Sequence, residues 1–276
     1  MRKLIFICVL FSTATNTSFA QSSIEEELKW LCDTLNPAMI HLKYHDSLFH
    51  SIQSINIISV PQKGEYAASI SFLDSGRITL SKLAESQDAI AAINGTFFNM
   101  RKGGSVVFMQ VNNKVINPPN DEAPDHIRRS AVAINDELTI IKKPETDWLQ
   151  VSNVYKDIMV TGPLLKLEDQ IVTIDSNQFN NTRHPRSAVC ITNDNQLLFI
   201  TVDGRHKDNA AGMTIPELQQ LSNKLDCRDA INLDGGGSTT LWNQEKGVLN
   251  YPSDNKTFDH EGARAIANGI ILKKVK

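Results

Sequence analysis

A succession of short apolar runs, each closed by a turn cluster, constrains this chain more than any other feature of its sequence. In order they read MIHLKY, SINIISV, YAASISF, AIAAINGTFF, VVFMQV, SAVAIN, ELTIIK, VTGPLLKL, SAVCIT, LLFITVDG, AINLDGG and IANGIILK. Clusters such as NDE, LEDQ and NDN separate them, the punctuation of hairpins and meanders. β-Branched side chains sit well on a pleated surface and lose rotamer freedom in a helix, so the runs predict strands. Strands far outnumber helices, which disfavours a doubly wound α/β sheet. The expected class is α+β, with a mixed, largely antiparallel β-sheet core and few helices.

One segment among these runs reads as a helix, TIPELQQLSNKLDC. Thr214 and Glu217 form a capping box, Pro216 falls in the first turn where its missing N–H costs nothing, and Ile215, Leu218, Leu221 and Leu225 share one face. The helix links the strand ending in VDGR to the strand AINLD, giving one βαβ-like unit whose strands are expected to be parallel or near neighbours. Their carboxyl ends then bring Asp203 and Asp234 to the same sheet edge.

Upstream, SSIEEELKWLCDTLN carries a second capping box, Ser23 with Glu26, which predicts a lead-in helix over 21–36 ending at Pro37. No repeat, low-complexity tract or linker divides residues 37–276, which read as one domain. The segment NPPNDEAPDH, 117–126, reads as an exposed loop.

Residues 1–20 carry a basic start, an apolar run from Leu4 to Phe11, and small residues at Ser18 and Ala20, the pattern of a secretory signal cleaved after Ala20. The run is too short to span a bilayer. The expectation is an exported protein, periplasmic or extracellular, with no transmembrane segment in its mature chain. Cys8 lies inside the apolar run, which argues against a lipoprotein anchor. A net charge of −3, more negative still without Arg2 and Lys3, offers no basic surface for nucleic acid. The remaining cysteines, Cys32, Cys190 and Cys227, are too few for a disulfide framework. One bridge at most is possible; with Cys190 inside SAVCI and Cys227 closing a helix, buried free thiols are the expected state.

The chemistry concentrates in INLDGGGSTTLW, 231–242. Glycine weakens a strand by roughly 0.5–1 kcal/mol relative to alanine, so three in a row need a local reason such as positive φ or close backbone approach. The stretch lacks the Gly-Lys-Ser/Thr ending of a Walker loop and does not spell a nucleophile elbow. What remains is a nest of backbone amides beside the hydroxyls of Ser238, Thr239 and Thr240, suited to an anion or to sugar hydroxyls. Asp203-Gly204-Arg205 repeats the carboxylate-then-glycine pattern at another strand end. Arg186, Arg205 and Arg264 all adjoin strand termini, and guanidinium groups bind phosphate oxygens through two parallel hydrogen bonds. His41, His45 and His50 match no metal motif. His184 lies nearest the candidate site in sequence, followed by His206.

Asn94-Gly95-Thr96-Phe97-Phe98-Asn99, Thr161-Gly162-Pro163-Leu164, Arg186-Ser187-Ala188, Val202-Asp203-Gly204-Arg205, Gly212-Met213-Thr214, Asn232-Leu233-Asp234-Gly235-Gly236-Gly237-Ser238 and Arg264-Ala265-Ile266-Ala267-Asn268 follow one another in this order. The series resembles the phosphodiester glycosidase family from about residue 37 onward. The resemblance implies a catalytic domain over 37–276 that removes a sugar from a sugar-1-phosphodiester by cleavage at the anomeric carbon, without a cofactor. Carried onto matching positions, it implies Asp203 and Asp234 as catalytic residues. It implies Asn94, Arg186, Arg205, Gly236, Gly237, Ser238, Arg264 and Asn268 as substrate-binding residues. Thr96 departs from the second glycine found in many members, and DNKTFDHEG before Arg264 looks like an insertion that reshapes the sugar subsite.

The residues themselves agree with this chemistry. A phosphate monoester is a good leaving group from an anomeric carbon, so holding its charge matters more than protonating it. Carboxylates can meet the oxocarbenium-like centre as base, nucleophile or electrostatic partner. Two other classes use the same residues: a glycan- or wall-binding module without catalysis, and a metal-dependent phosphodiesterase with Asn94, Asp203 and Asp234 as oxygen ligands.

Overall fold

A computed structural model describes residues 28–275 of the chain. It begins with β1 (Leu31–Asn36), β2 (Met39–Leu48), β3 (Ser51–Pro61) and β4 (Tyr66–Phe72), then α1 (Leu80–Glu85), β5 (Ala91–Asn94), β6 (Met109–Val111) and β7 (Lys114–Asn117). After α2 (Asp125–Arg128) come β8 (Ser130–Ile134), β9 (Leu138–Lys142), β10 (Asp157–Thr161), β11 (Leu164–Leu167) and β12 (Gln170–Ile171). The order continues with α3 (Gln178–Asn181), β13 (Arg186–Thr192), β14 (Gln196–Val202), α4 (Ile215–Lys224) and β15 (Cys227–Asn232), then β16 (Leu241–Asn243), β17 (Gly247–Val248) and β18 (Asn268–Lys274).

Three sheets result. The largest runs β1-β2-β3-β14-β13-β15-β11-β12, and two five-stranded sheets run β7-β6-β10-β8-β9 and β17-β16-β5-β18-β4. Neighbouring strands pair antiparallel, as the turn-punctuated sequence predicts. The βαβ-like unit is present. β14 and β15 are both antiparallel to β13, hence parallel to each other with one strand between them. The Thr214–Glu217 capping box of α4 is formed.

Alternation along the strands divides the large sheet between two cores. Ile57, Ala188, Cys190, Ile200 and Ala230 pack beneath Ile215, Leu218 and Leu221 of α4. On the opposite face, Ile58, Val189, Phe199 and Ile231 meet Ile93, Met109, Val132, Met159 and Ile270 of the smaller sheets. Each fully buried side chain of this kind contributes roughly 1.5–3 kcal/mol. Helix α1 covers the outer face of β5 and β18 through Leu80 and Leu83.

Two sequence expectations are corrected. The lead-in helix does not extend to residue 36, because Leu31–Asn36 forms β1 and pairs with β2. Cys32, Asp33, Thr34 and Asn36 are weak helix formers, and pairing with a neighbouring strand outweighs them. The Ser23–Glu26 capping box and the signal segment lie outside the described residues. Cys190 and Cys227 are not free thiols: they form a disulfide between β13 and β15, Cα to Cα 5.7 Å. The α4 crossover returns β15 to the side of β13, a proximity that a sequence separation of 37 hides.

Candidate functional site

Strand polarity concentrates the candidate residues at one end of the sheets. β14 and β15 end there, β13 begins there, and the end of β5 and the start of β18 meet them from a smaller sheet. Asn94, nearly fully buried, ties the sheets together. Its Nδ2 donates to the Asp234 carbonyl at 2.7 Å, while its Oδ1 accepts from Ser187 Oγ at 2.6 Å and from Thr240 N at 3.1 Å. Asn268 Oδ1 accepts from Thr96 N at 2.7 Å.

The three glycines between Asp234 and Ser238 answer different demands. A Cβ on Gly235 would stand 2.7 Å from the Pro185 carbonyl oxygen. Gly236 has φ +61°, which favours glycine, and its N–H donates to that same carbonyl at 2.8 Å. A Cβ on Gly237 would lie 1.8 Å from Asp254 Oδ1 and 2.4 Å from Arg264 Nη2. The chain then turns through Gly236–Ser238 and buries Ser238, Thr239 and Thr240. The hydroxyl oxygens of Thr239 and Thr240, Asn268 Nδ2 and Asn232 Oδ1 are buried without a protein hydrogen-bond partner. An unmade buried hydrogen bond costs roughly 1–3 kcal/mol, and all four of these atoms are closed to solvent.

Two arginines flank this loop. Arg264 donates from Nε to Asp254 Oδ2 at 2.7 Å and from Nη2 to Oδ1 at 2.8 Å. Arg205, a non-glycine residue at φ +67°, reaches Ser253 Oγ at 3.3 Å and stands 3.9 Å from Asp254. Its Nη2 lies 2.9 Å from where a Cβ on Gly236 would be. Asp254 thus holds two cations over the glycines.

Arg186 is placed differently from its sequence expectation. It is 1% exposed; Nε donates to the Met213 carbonyl and Nη2 to those of Phe179 and Thr182, each at 2.8 Å. Its guanidinium lies 4.8 Å from the centroid of the Phe179 ring. Burial pushes its pKa down to about 10. Nε and Nη2 are thus committed to backbone carbonyls, which ties Arg186 into the fold.

The two aspartates share the edge but not the environment. Asp203 is fully buried, and both its oxygens are occupied: Oδ2 accepts from Ser54 Oγ at 2.7 Å and Asn56 Nδ2 at 3.4 Å, Oδ1 from Asn250 Nδ2 at 3.0 Å and Tyr251 N at 2.8 Å. Burial raises its pKa against these donors. Asp234 is half-buried and accepts from Gly235 N at 2.9 Å. Burial lifts its pKa to about 6, opposed by the Ser238 hydroxyl and by the charge of Arg264. Of the two carboxylates, Asp234 is the less committed to protein donors.

Sequence reasoning singled out the run 254–262 but not Asn250, Tyr251 or Ser253, nor the way this segment joins the parts. Asn250 and Tyr251 anchor to Asp203, and Ser253 and Asp254 immediately orient the arginines. Tyr251 stacks on Phe258 at 4.0 Å and on His260 at 4.4 Å, while His260 Nδ1 meets the Asn250 carbonyl at 2.7 Å. The unusual run before Arg264 was the available signal. His184 pairs its backbone with Met213, and burial together with Arg186 and Arg205 lowers its pKa. His206 contacts Phe258 edge-on. Among the described residues, no group of three His, Cys, Asp or Glu side chains is arranged to hold a metal ion.

The description of the phosphodiester glycosidase family matches residues 87–273. Human N-acetylglucosamine-1-phosphodiester alpha-N-acetylglucosaminidase is 27% identical over an alignment of 195 residues that covers 65% of this chain and 36% of the human protein. The chain spans about a third of the length of the curated relatives it matches. A hypothetical protein from Synechocystis shares the fold with TM-score 0.72 at 14% identity, over 91% of this chain and 64% of that one. So does the catalytic domain of the zebrafish N-acetylglucosamine-1-phosphodiester alpha-N-acetylglucosaminidase, auto-inhibited by its pro-peptide, with TM-score 0.68 at 18% identity over 90% and 88% of the two chains.

Proposed function

The chain belongs to the phosphodiester glycosidase family, and from that premise we propose that it is an exported hydrolase of sugar-1-phosphodiesters. It breaks the bond between the anomeric carbon and the bridging phosphate oxygen; water supplies the hydroxyl of the free sugar, and the aglycone leaves as a phosphomonoester. The observation that carries this reading is the pairing of Asp234, held near pKa 6, with a glycine loop under Arg205 and Arg264.

The residues divide the work. Arg205, Arg264 and the loop amides offset the charge that grows on the departing phosphate, which is where this reaction most needs help. Ionised Asp234 faces the cationic anomeric centre, as base or nucleophile. Asp203 acts as a positioning residue: it fixes Asn250 and Tyr251 and so the segment that orients Asp254 and both arginines. Asn94 Oδ1 and both Asp203 oxygens already accept hydrogen bonds, which argues against the metal-ligand set of a phosphodiesterase.

The Cys190–Cys227 bridge supports export, since structural disulfides persist in oxidising compartments. Among the described residues no helix is long and apolar enough to cross a membrane. Chromatography of the products from an alkyl N-acetylglucosaminyl phosphate tests the reading. Free sugar with alkyl phosphate supports it, whereas sugar 1-phosphate with free alcohol, or no turnover, contradicts it.

A further inference from the structure

The link between β17 and β18 carries a stack of three rings whose outer members, Phe258 and His260, have no part in the chemistry above. Tyr251 lies 4.0 Å from Phe258 with 10° between the planes, and 4.4 Å from His260 with 28°. Two rings so close on one face would overlap each other, so Tyr251 is sandwiched between them. Phe258, half-buried, also meets His206 edge-on at 5.5 Å and His45 at 6.1 Å. His45 Nε2 in turn lies 3.0 Å from the Asn209 carbonyl. One phenyl ring therefore joins β2, the loop after Asp203 and the β17–β18 link.

Two of these stretches carry the arginines and their anchor. Arg205 precedes His206 in the loop, and Asp254, the partner of Arg205 and Arg264, opens the turn 254–262 that bears Phe258. The turn is stiffened from within. Asp254 N donates to the Gly262 carbonyl at 3.2 Å, Asn255 Nδ2 and Glu261 N donate to Asp259 Oδ1 at 2.8 and 2.9 Å, and Thr257 N donates to Asn255 Oδ1 at 3.0 Å. None of these bonds reaches outside the turn. His260 fastens its far side to the start of the link, where Nδ1 donates to the Asn250 carbonyl at 2.7 Å. Towards the other loop, Arg205 and Asp254 stand 3.9 Å apart with side chains 43% and 35% exposed. Attraction across so open a pair contributes little in water. A ring packed on its neighbours holds more firmly, because its area is removed from water.

We propose that Phe258 is a positioning residue for both arginines. By docking the turn 254–262 on the loop that carries Arg205, it sets Asp254, and Asp254 sets the two guanidinium groups over the glycines. The positioning role rests on the glycosidase reading, in which these arginines stabilise the departing phosphate; the docking of the turn does not. Since that charge grows in the transition state, loss of the ring acts on kcat more than on KM.

Kinetics and proteolysis on the full chain test the two parts separately. Phe258→Ala is expected to lower kcat/KM for a sugar-1-phosphodiester about tenfold, mainly through kcat, and Phe258→Tyr, which keeps the ring, to recover most of that loss. Asp254→Asn is expected to cost about tenfold or more, and adding Phe258→Ala to it less than about twofold further, because two changes that act through one group do not add. Wild-type kinetics in Phe258→Ala, a tyrosine variant as impaired as the alanine one, a loss confined to KM, or additive losses in the double variant overturn the positioning role. For the docking, trypsin cleavage after Lys256, an exposed residue of the turn, is read by mass spectrometry. Phe258→Ala is expected to speed it at least about tenfold while the circular dichroism spectrum is kept. An unchanged cleavage rate overturns the docking. Faster cleavage in a chain that hydrolyses no sugar phosphodiester upholds the docking and overturns the glycosidase reading.

Discussion

Arg264 rests on Gly237 so closely that a single methyl group would displace it: a Cβ there would fall 2.4 Å from Nη2. The same Cβ would meet Asp254, the partner that fixes the guanidinium. Gly237→Ala is therefore expected to push the arginine off the loop and lower kcat/KM by at least about 100-fold, some 2.7 kcal/mol of transition-state stabilisation. Steady-state kinetics on a folded variant measure it, and near-normal kinetics would remove Arg264 from the reaction.

The arginines separate by what each holds. Arg264→Lys loses a two-bond fork in a partly open site and is expected to reduce kcat/KM by about tenfold or more, with a modest change in stability. Arg186→Lys leaves up to three carbonyls short of donors, that of Met213 buried, and is expected to lower stability by roughly 1–3 kcal/mol, a Tm drop of about 3–10 °C. Parallel thermal melts and kinetics distinguish them; the reverse assignment of effects contradicts these roles.

Asp234 links activity to pH and stability in opposite senses. If its ionised form is the active one, kcat/KM falls about tenfold per unit below pH 6 and levels off above it. Its folded pKa of about 6 exceeds the unfolded value near 3.9, so the folded state binds the proton more tightly. The stability this confers is complete below about pH 4 and is lost as the pH rises through 6. Asp234→Asn is thus expected to abolish turnover yet to raise stability at pH 7 by on the order of 1–3 kcal/mol. A destabilised variant with a retained acid limb would contradict both statements.

Much of the fold was legible because a strand announces itself locally. Ile57 and Ile58 alternate between two cores, and Thr214 with Glu217 caps α4 as their spacing implies. The misreadings came where distant pairing decides. LCDTLN becomes a strand only because β2 lies beside it, and Cys227 reaches Cys190 only through the α4 crossover. At the candidate site, the ends of β14 and β15 bring Asp203 and Asp234 to one sheet edge, and Asp254 pairs with both Arg205 and Arg264. Nothing in the order of residues marked Asp254 as the anchor of both arginines or Arg186 as a strut, since the distinction rests on which groups each side chain touches.

The disulfide offers a check on the architecture. It closes a loop of 37 positions, for which chain-entropy reasoning gives about 3–4 kcal/mol. Cys190→Ala/Cys227→Ala is expected to lose about 2–4 kcal/mol in denaturant unfolding. Equal stability of the wild type with and without reductant would contradict the bridge between β13 and β15.

Hydrolysis of a sugar-1-phosphodiester in ¹⁸O-labelled water, followed by mass spectrometry of both products, tests the assigned reaction most directly. Attack at the anomeric carbon beside Asp234 places the label on the free sugar and leaves the phosphomonoester unlabelled. Label on the phosphate would mean cleavage of the P–O bond and would contradict the glycosidase assignment.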